Sequence, residues 1–144
     1  EIPRLVPAGR PALRRSRAHS RGALHGQSWC PGGRVCLLHI CGDTTPVLEA
    51  MCLTVADILE LDSKVNLAYA REAVAGRACL MGNLNPTGLL LQGIPEDVEK
   101  AADEAVREAG PSAFILGSGC EVPPDAPREN IQTMIRSARH EPAS

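Results

Sequence analysis

Four short apolar runs, each followed by a segment of helical periodicity, alternate from Val35 to Ala138. Strict alternation of this kind admits one architecture, a parallel sheet with helical crossovers, because each parallel strand needs a long return connection. The first run, Val35-Cys36-Leu37-Leu38-His39-Ile40-Cys41, reads as a strand buried on both faces and ends at Gly42-Asp43. Thr45-Pro46 opens a helix predicted to reach about Val55. Ile58 to Asp62 forms the second strand, and the following helix runs from about Asn66 to Ala75 and closes at Gly76. The third strand, Ala78 to Gly82, leads through Asn83-Leu84-Asn85-Pro86 into a short apolar turn. Pro95 then stands in the first turn of a helix, with Glu96 and Asp97 favourable to its dipole. That helix shows Val98, Ala101, Ala102, Ala105 and Val106 at helical spacing and stops at Gly110. Ala113 to Leu116 is the fourth strand. A last helix from about Pro127 carries Ile131, Met134, Ile135 and Ala138 on one face.

Two closed solutions follow, an open doubly wound sheet or part of a barrel. No G-x-G-x-x-G follows the first strand, so the dinucleotide-binding form has no support. Polar residues collect instead at the C-terminal ends of all four strands: His39, Cys41 and Asp43; Asp62; Asn83 and Asn85; Cys120 and Glu121. An eight-stranded α/β barrel places its chemistry at those ends. Such a barrel needs eight units in roughly 250 residues, and this chain supplies four. The expected fold class is α/β, the C-terminal half of a (β/α)8 barrel.

Charge divides the chain. Residues 1–33 hold six arginines against Glu1, together with Pro3, Pro7, Pro11, Pro31 and five glycines, and no sustained apolar period. The remaining residues, 34–144, hold nine bases against sixteen acids. We read 1–33 as a basic leader, disordered or foreign to the fold, and 34–144 as the domain. Aromatic residues make up only 2% of the chain, which argues against a base-stacking nucleic-acid surface. No apolar run reaches the ~18 to 20 residues of a membrane helix, and no secretory signal opens the chain, so the expectation is a cytoplasmic protein. The six cysteines form no CxxC pair and read as reduced thiols, with metal binding ahead of disulfides.

His39 and Cys41 are two apart in a strand, so both side chains leave the same face, about 6 to 7 Å apart along the backbone. A thiolate and an imidazole suit zinc better than magnesium or calcium. Cys120, in Gly117-Ser118-Gly119-Cys120, could complete a His/Cys/Cys set whose open fourth position marks catalytic rather than structural zinc. An isolated H-x-C is weak, because cysteine often serves as a small buried hydrophobe; Cys36, Cys52 and Cys79 are read in that way, and Cys30 receives no role.

Three blocks sharpen the reading: His39-Ile40-Cys41-Gly42-Asp43-Thr44-Thr45-Pro46, Gly82-Asn83-Leu84-Asn85-Pro86, and Gly117-Ser118-Gly119-Cys120-Glu121 continuing through Asn130. In this order, over about 34–141, they resemble the C-terminal half of the uroporphyrinogen decarboxylase superfamily. The resemblance is nearest to its corrinoid-dependent methyltransferases, of the methylcobamide:coenzyme M type. The resemblance implies the fifth to eighth units of a (β/α)8 barrel, with the family zinc motif falling on His39, Cys41 and Cys120. Asn85 stands where the family pattern Gly-Asn-x-Asp-Pro has Asp.

The implied activity moves a methyl group from a methylated corrinoid (methylcobalamin or a corrinoid protein) to a small thiol activated on zinc. Asp62, or else Glu121, is the expected fourth ligand, and Asp43, Asn83 and Asn85 the expected substrate-binding residues. Two alternatives stand beside it: a decarboxylase-like lyase of tetrapyrrole metabolism, whose key residues belong to the absent N-terminal half, and a truncated, non-catalytic half barrel. Unpaired edge strands and an apolar inner face predict association, with an N-terminal half barrel or with a second copy.

Overall fold

Each of the four apolar runs forms a strand, and each strand pairs with the one before it. The structure, a computed structural model, describes residues 35–139 except 55, 111 and 112. The basic leader and the expected helix end at Val55 therefore lie outside the described residues. Strands β1 (Leu37–Ile40), β2 (Ile58–Leu61), β3 (Cys79–Leu84) and β4 (Phe114–Ser118) form one parallel sheet in the order β1-β2-β3-β4. The crossovers contain helices α1 (Leu48–Cys52), α2 (Leu67–Val74) and α3 (Pro95–Ala109), and α4 (Arg128–Ser137) follows β4. This is the expected run of four β/α units of an α/β half barrel. No helix among the described residues is long and apolar enough to cross a membrane.

Register separates the two faces of the sheet. Leu38, Leu59, Leu80 and Phe114 lie in one row, and His39, Glu60, Met81 and Ile115 in the next, on the opposite face. Leu59, Leu61, Leu80 and Leu84 pack with Leu48, Leu67, Val74 and Val98 of the helices in the main core. Each such leucine contributes about 1.5–3 kcal/mol by leaving water. The other face has no helical layer among the described residues, and there Leu37 is 48% and Ile115 41% exposed. The expectation that the first strand is buried on both faces is thus corrected. It assumed two covering layers, and among the described residues β1 also ends the sheet, next to β2.

Local chemistry sets most boundaries. Asn66 caps α2 by accepting from Tyr69 N, and the chain leaves that helix through Ala75 and Gly76, both at positive φ. Pro95 begins α3, whose Val98, Ala102, Ala105 and Ala109 face the core, and Gly110 ends it. Three expectations need adjustment. The first helix is shorter than predicted, a 3-10 turn over Thr45–Val47 followed by α1. The apolar turn after β3 is a π-helical segment, Pro86–Leu91, that buries Leu90. Helix α4 buries Asn130, Thr133 and Ser137; of its expected apolar face, Ile131 and Met134 pack against the core while Ile135 and Ala138 are exposed. Asn130 turns that face inward because its side-chain amide donates to the carbonyls of Leu90 and Gly93.

The cysteines also divide. Cys41, Cys52, Cys79 and Cys120 are free, as expected, whereas Cys36 is disulfide-bonded. Cys36, half-buried just before β1, is held in a disulfide, so the reading as a reduced, buried hydrophobe does not hold there.

At Gly82, β3 passes close to the backbone of β2. The glycine's φ is 127°, and a Cβ there would stand 2.6 Å from the carbonyl oxygen of Leu61. Gly82→Ala should lower stability by at least about 2 kcal/mol, from strain and the clash together. Urea unfolding checks this, and an unchanged midpoint would contradict it.

Candidate metal centre

His39 lies in β1 and Cys41 just beyond its end, so the two side chains leave the sheet on one side. The turn that follows is tied to β2, because Gly42 N donates to Asp62 Oδ2 at 2.8 Å. Cys120 arrives from the far edge of the sheet, on the loop after β4. Gly119 N donates to Leu84 O at 2.7 Å, which carries that loop inward over the end of β3. A Cβ at Gly119 would lie 2.4 Å from Ser63 N, so only glycine lets the chain pass this close to the end of β2. Cys120 is thereby delivered to the β1 side.

The result is a compact donor set. His39 Nε2 lies 3.2 Å from Cys41 Sγ, and Cys41 Sγ lies 3.4 Å from Cys120 Sγ. Ligand atoms of all three residues fall within 4.8 Å of one another. Zinc bonds of about 2.0 Å to nitrogen and about 2.3 Å to sulfur in a tetrahedron place nitrogen and sulfur roughly 3.5 Å apart and two sulfurs roughly 3.8 Å apart. The donor chemistry suits zinc, and the three atoms stand a few tenths of an ångström closer than that spacing.

The opposite edge of the imidazole is held as well. His39 Nδ1 lies 3.3 Å from Glu60 O and 3.4 Å from Glu60 Oε2. Sequence reading passed over Glu60. A signal was present, since an acid two residues before Asp62 in the same strand must share its face.

Charge is distributed unevenly over the two thiols. Hydrogen bonds from Cys41 and His39 pull the Cys120 thiol below the ordinary value, whereas its bond to Cys120 pushes the Cys41 thiol up. Burial works against the His39 imidazolium, but contacts to Cys120 and Glu60 outweigh it and raise the ring above its usual value. Burial likewise opposes the Asp62 carboxylate, and the N–H groups of Gly42 and Lys64 with the Lys64 charge bring it below the usual range.

The remaining residues singled out from the sequence all lie at this rim. Asp62 accepts from Gly42 N through Oδ2 and from Lys64 N through Oδ1, and it lies outside the donor cluster. Glu121 follows Cys120, is exposed, and is also outside the cluster. Asp43 Oδ1 accepts from Thr45 N. Asn83 donates from Nδ2 to the carbonyls of Asp62 and Val65, joining the end of β3 to the loop after β2. Asn85 Oδ1 accepts from Thr87 N and Gly88 N and so caps the π-helical segment. Each of these three thus has a backbone partner that shapes the rim.

Known proteins place the chain. A family model described as uroporphyrinogen decarboxylase matches residues 23–141, beginning inside the basic segment. Methylcobamide:CoM methyltransferase MtbA of Methanosarcina mazei is 38% identical over 104 residues, which are 72% of this chain and 30% of that protein. A uroporphyrinogen decarboxylase of Trichodesmium erythraeum is 33% identical over 103 residues, 72% of this chain and 28% of that protein. A solved structure of a methyltransferase from Methanosarcina mazei matches with a TM-score of 0.68 at 28% identity, over 74% of this chain and 31% of that one. The chain therefore spans about 30% of the length of these relatives.

Without metal, iodoacetamide should alkylate Cys120 ahead of Cys41. The Cys120 rate should rise at a pH below the ordinary thiol range and the Cys41 rate above it, because the thiolate is the reactive form. Mass spectrometry of time courses from about pH 6 to about pH 9 reads both sites, and equal rates throughout would contradict the asymmetry. With the family model matched over 23–141 and relatives named for both activities matched over 72% of the chain, the chain belongs to the uroporphyrinogen decarboxylase family and is related within it to methyltransferases as well as decarboxylases.

Proposed function

We propose that this chain carries the zinc-binding rim of a corrinoid-dependent methyltransferase, one that passes a methyl group from a methylated corrinoid protein to a small thiol such as coenzyme M. The observation that carries this reading is the convergence of one imidazole and two thiols within 4.8 Å at the C-terminal ends of the strands. Support comes from the relative named as a methylcobamide:CoM methyltransferase, which is 38% identical.

His39, through Nε2, with Cys41 and Cys120 would hold the ion. Zinc bound there would accept a substrate thiol in its open position, remove the thiol proton and orient the sulfur towards the methyl donor. Hydrogen bonds from Cys41 and His39 favour the Cys120 thiolate relative to an ordinary thiol. Both cysteines would bind metal as thiolates, so uptake should strengthen as pH rises. Asp62, whose Oδ2 accepts from Gly42 N, would be the fourth ligand in the absence of substrate, and Glu121 is the other carboxylate at hand. Asp43, Asn83 and Asn85 line the approach to the rim, the first and last of them exposed.

The domain on this reading begins at residue 34, and the rest of the barrel is supplied by an N-terminal half or by a second copy. The lyase reading also has relatives behind it, among them the Trichodesmium protein. It gives no role to two thiols and an imidazole gathered at one point.

Purified protein should take up about one zinc ion per chain from a stoichiometric titration, and His39→Ala or Cys120→Ala should abolish tight uptake. Elemental analysis after gel filtration measures this. Unchanged zinc content in both variants would refute the site.

A further inference from the structure

We infer that Glu60 is a positioning residue for the metal centre, setting the tautomer and the aim of His39; this rests on the metal-site reading above. Glu60 and His39 are partners in the parallel register of β2 and β1, on the sheet face that also presents Cys41. The ring is held at both ends. Nδ1 faces the carboxylate and carbonyl of Glu60 at 3.4 and 3.3 Å, and Nε2 faces Cys41 Sγ at 3.2 Å.

A neutral imidazole carries one proton, and the nitrogen that meets a metal must be the bare one. Two oxygen acceptors beside Nδ1 place the proton there and leave the Nε2 lone pair directed at the two sulfurs. Without such a partner, free histidine favours the proton on Nε2, the wrong nitrogen for this site. Glu60 sits at mid-strand on the open sheet face, with its side chain 20% exposed, and its ion pair is with His39. A carboxylate in that row is costly to cover unless it is paired, and His39 is its partner. A carboxylate behind a metal-binding histidine typically changes metal affinity by 10–100-fold.

The test uses the full 144-residue chain as wild type, Glu60→Gln and Glu60→Ala. Nitrogen-15 NMR of the metal-free proteins above the His39 titration reads the tautomer, and competition with a chromophoric chelator reads zinc affinity. Wild type should show the Nδ1–H form at His39. Glu60→Ala should shift the ring towards Nε2–H and weaken zinc binding by about 10- to 100-fold, with Glu60→Gln falling between, because its amide oxygen still accepts from Nδ1. A purely structural ion pair would lower thermal stability while leaving tautomer and affinity as in wild type, and that outcome overturns the inference. If the alanine variant does not fold, the near-isosteric glutamine variant decides by the same readings. A wild-type protein that binds no zinc would sink the metal-site reading, yet the tautomer measurement would still judge Glu60 on its own.

Discussion

The rim depends on one close crossing, where the loop after β4 passes the end of β2 with no room for a side chain at Gly119. Cys41 and Cys120 are 79 residues apart and belong to opposite edges of the sheet. Nothing in strand pairing brings them together. The crossing does so, fixed by the bond from Gly119 N to Leu84 O on one side and by the Asp62 clamp on Gly42 on the other. Asp62 and Asn83 then tie the loops after β1 and β2 and the end of β3 into a single rigid ledge. Three donors on three independent flexible loops would have to be ordered at metal binding, at about 1–2 kcal/mol per fixed residue. Here that ordering accompanies folding of the sheet.

The same geometry explains the division between the two sheet faces. Leucines from β2 and β3 anchor the helices on one face, with Leu38 of β1 and Phe114 and Leu116 of β4 packed against the same core. The opposite face combines apolar Leu37 and Ile115 with the His39–Glu60 pair. A face that mixes exposed Leu37 with a half-buried ion pair suits a barrel interior, where apolar side chains fill the lower layers and polar ones collect at the mouth.

Much of this was legible from local pattern. Alternating apolar runs and helical periods specify the parallel sheet, and the two-residue spacing of His39 and Cys41 places them on one face. Cys120 was different: its place after the fourth strand and its small-residue block made it a candidate, but spacing offers no means of closing a 79-residue loop, and the resemblance of the Gly117-Ser118-Gly119-Cys120 block strengthened the assignment. The last helix was half legible. Hydrophobic periodicity pointed to Ile131, Met134, Ile135 and Ala138, and the first two do pack against the core, but the carbonyls of Leu90 and Gly93 draw Asn130 inward and leave Ile135 and Ala138 exposed. Glu60 was missed because an acid within an apolar strand reads as an interruption until register sets it beside His39.

The central claim is that one nitrogen and two sulfurs of this chain share a single zinc ion. X-ray absorption at the zinc edge of the loaded protein tests it most directly. The account predicts two sulfur neighbours at about 2.3 Å with nitrogen or oxygen neighbours at about 2.0 Å completing a four-coordinate shell. A shell containing only nitrogen and oxygen, or four sulfurs, would contradict it.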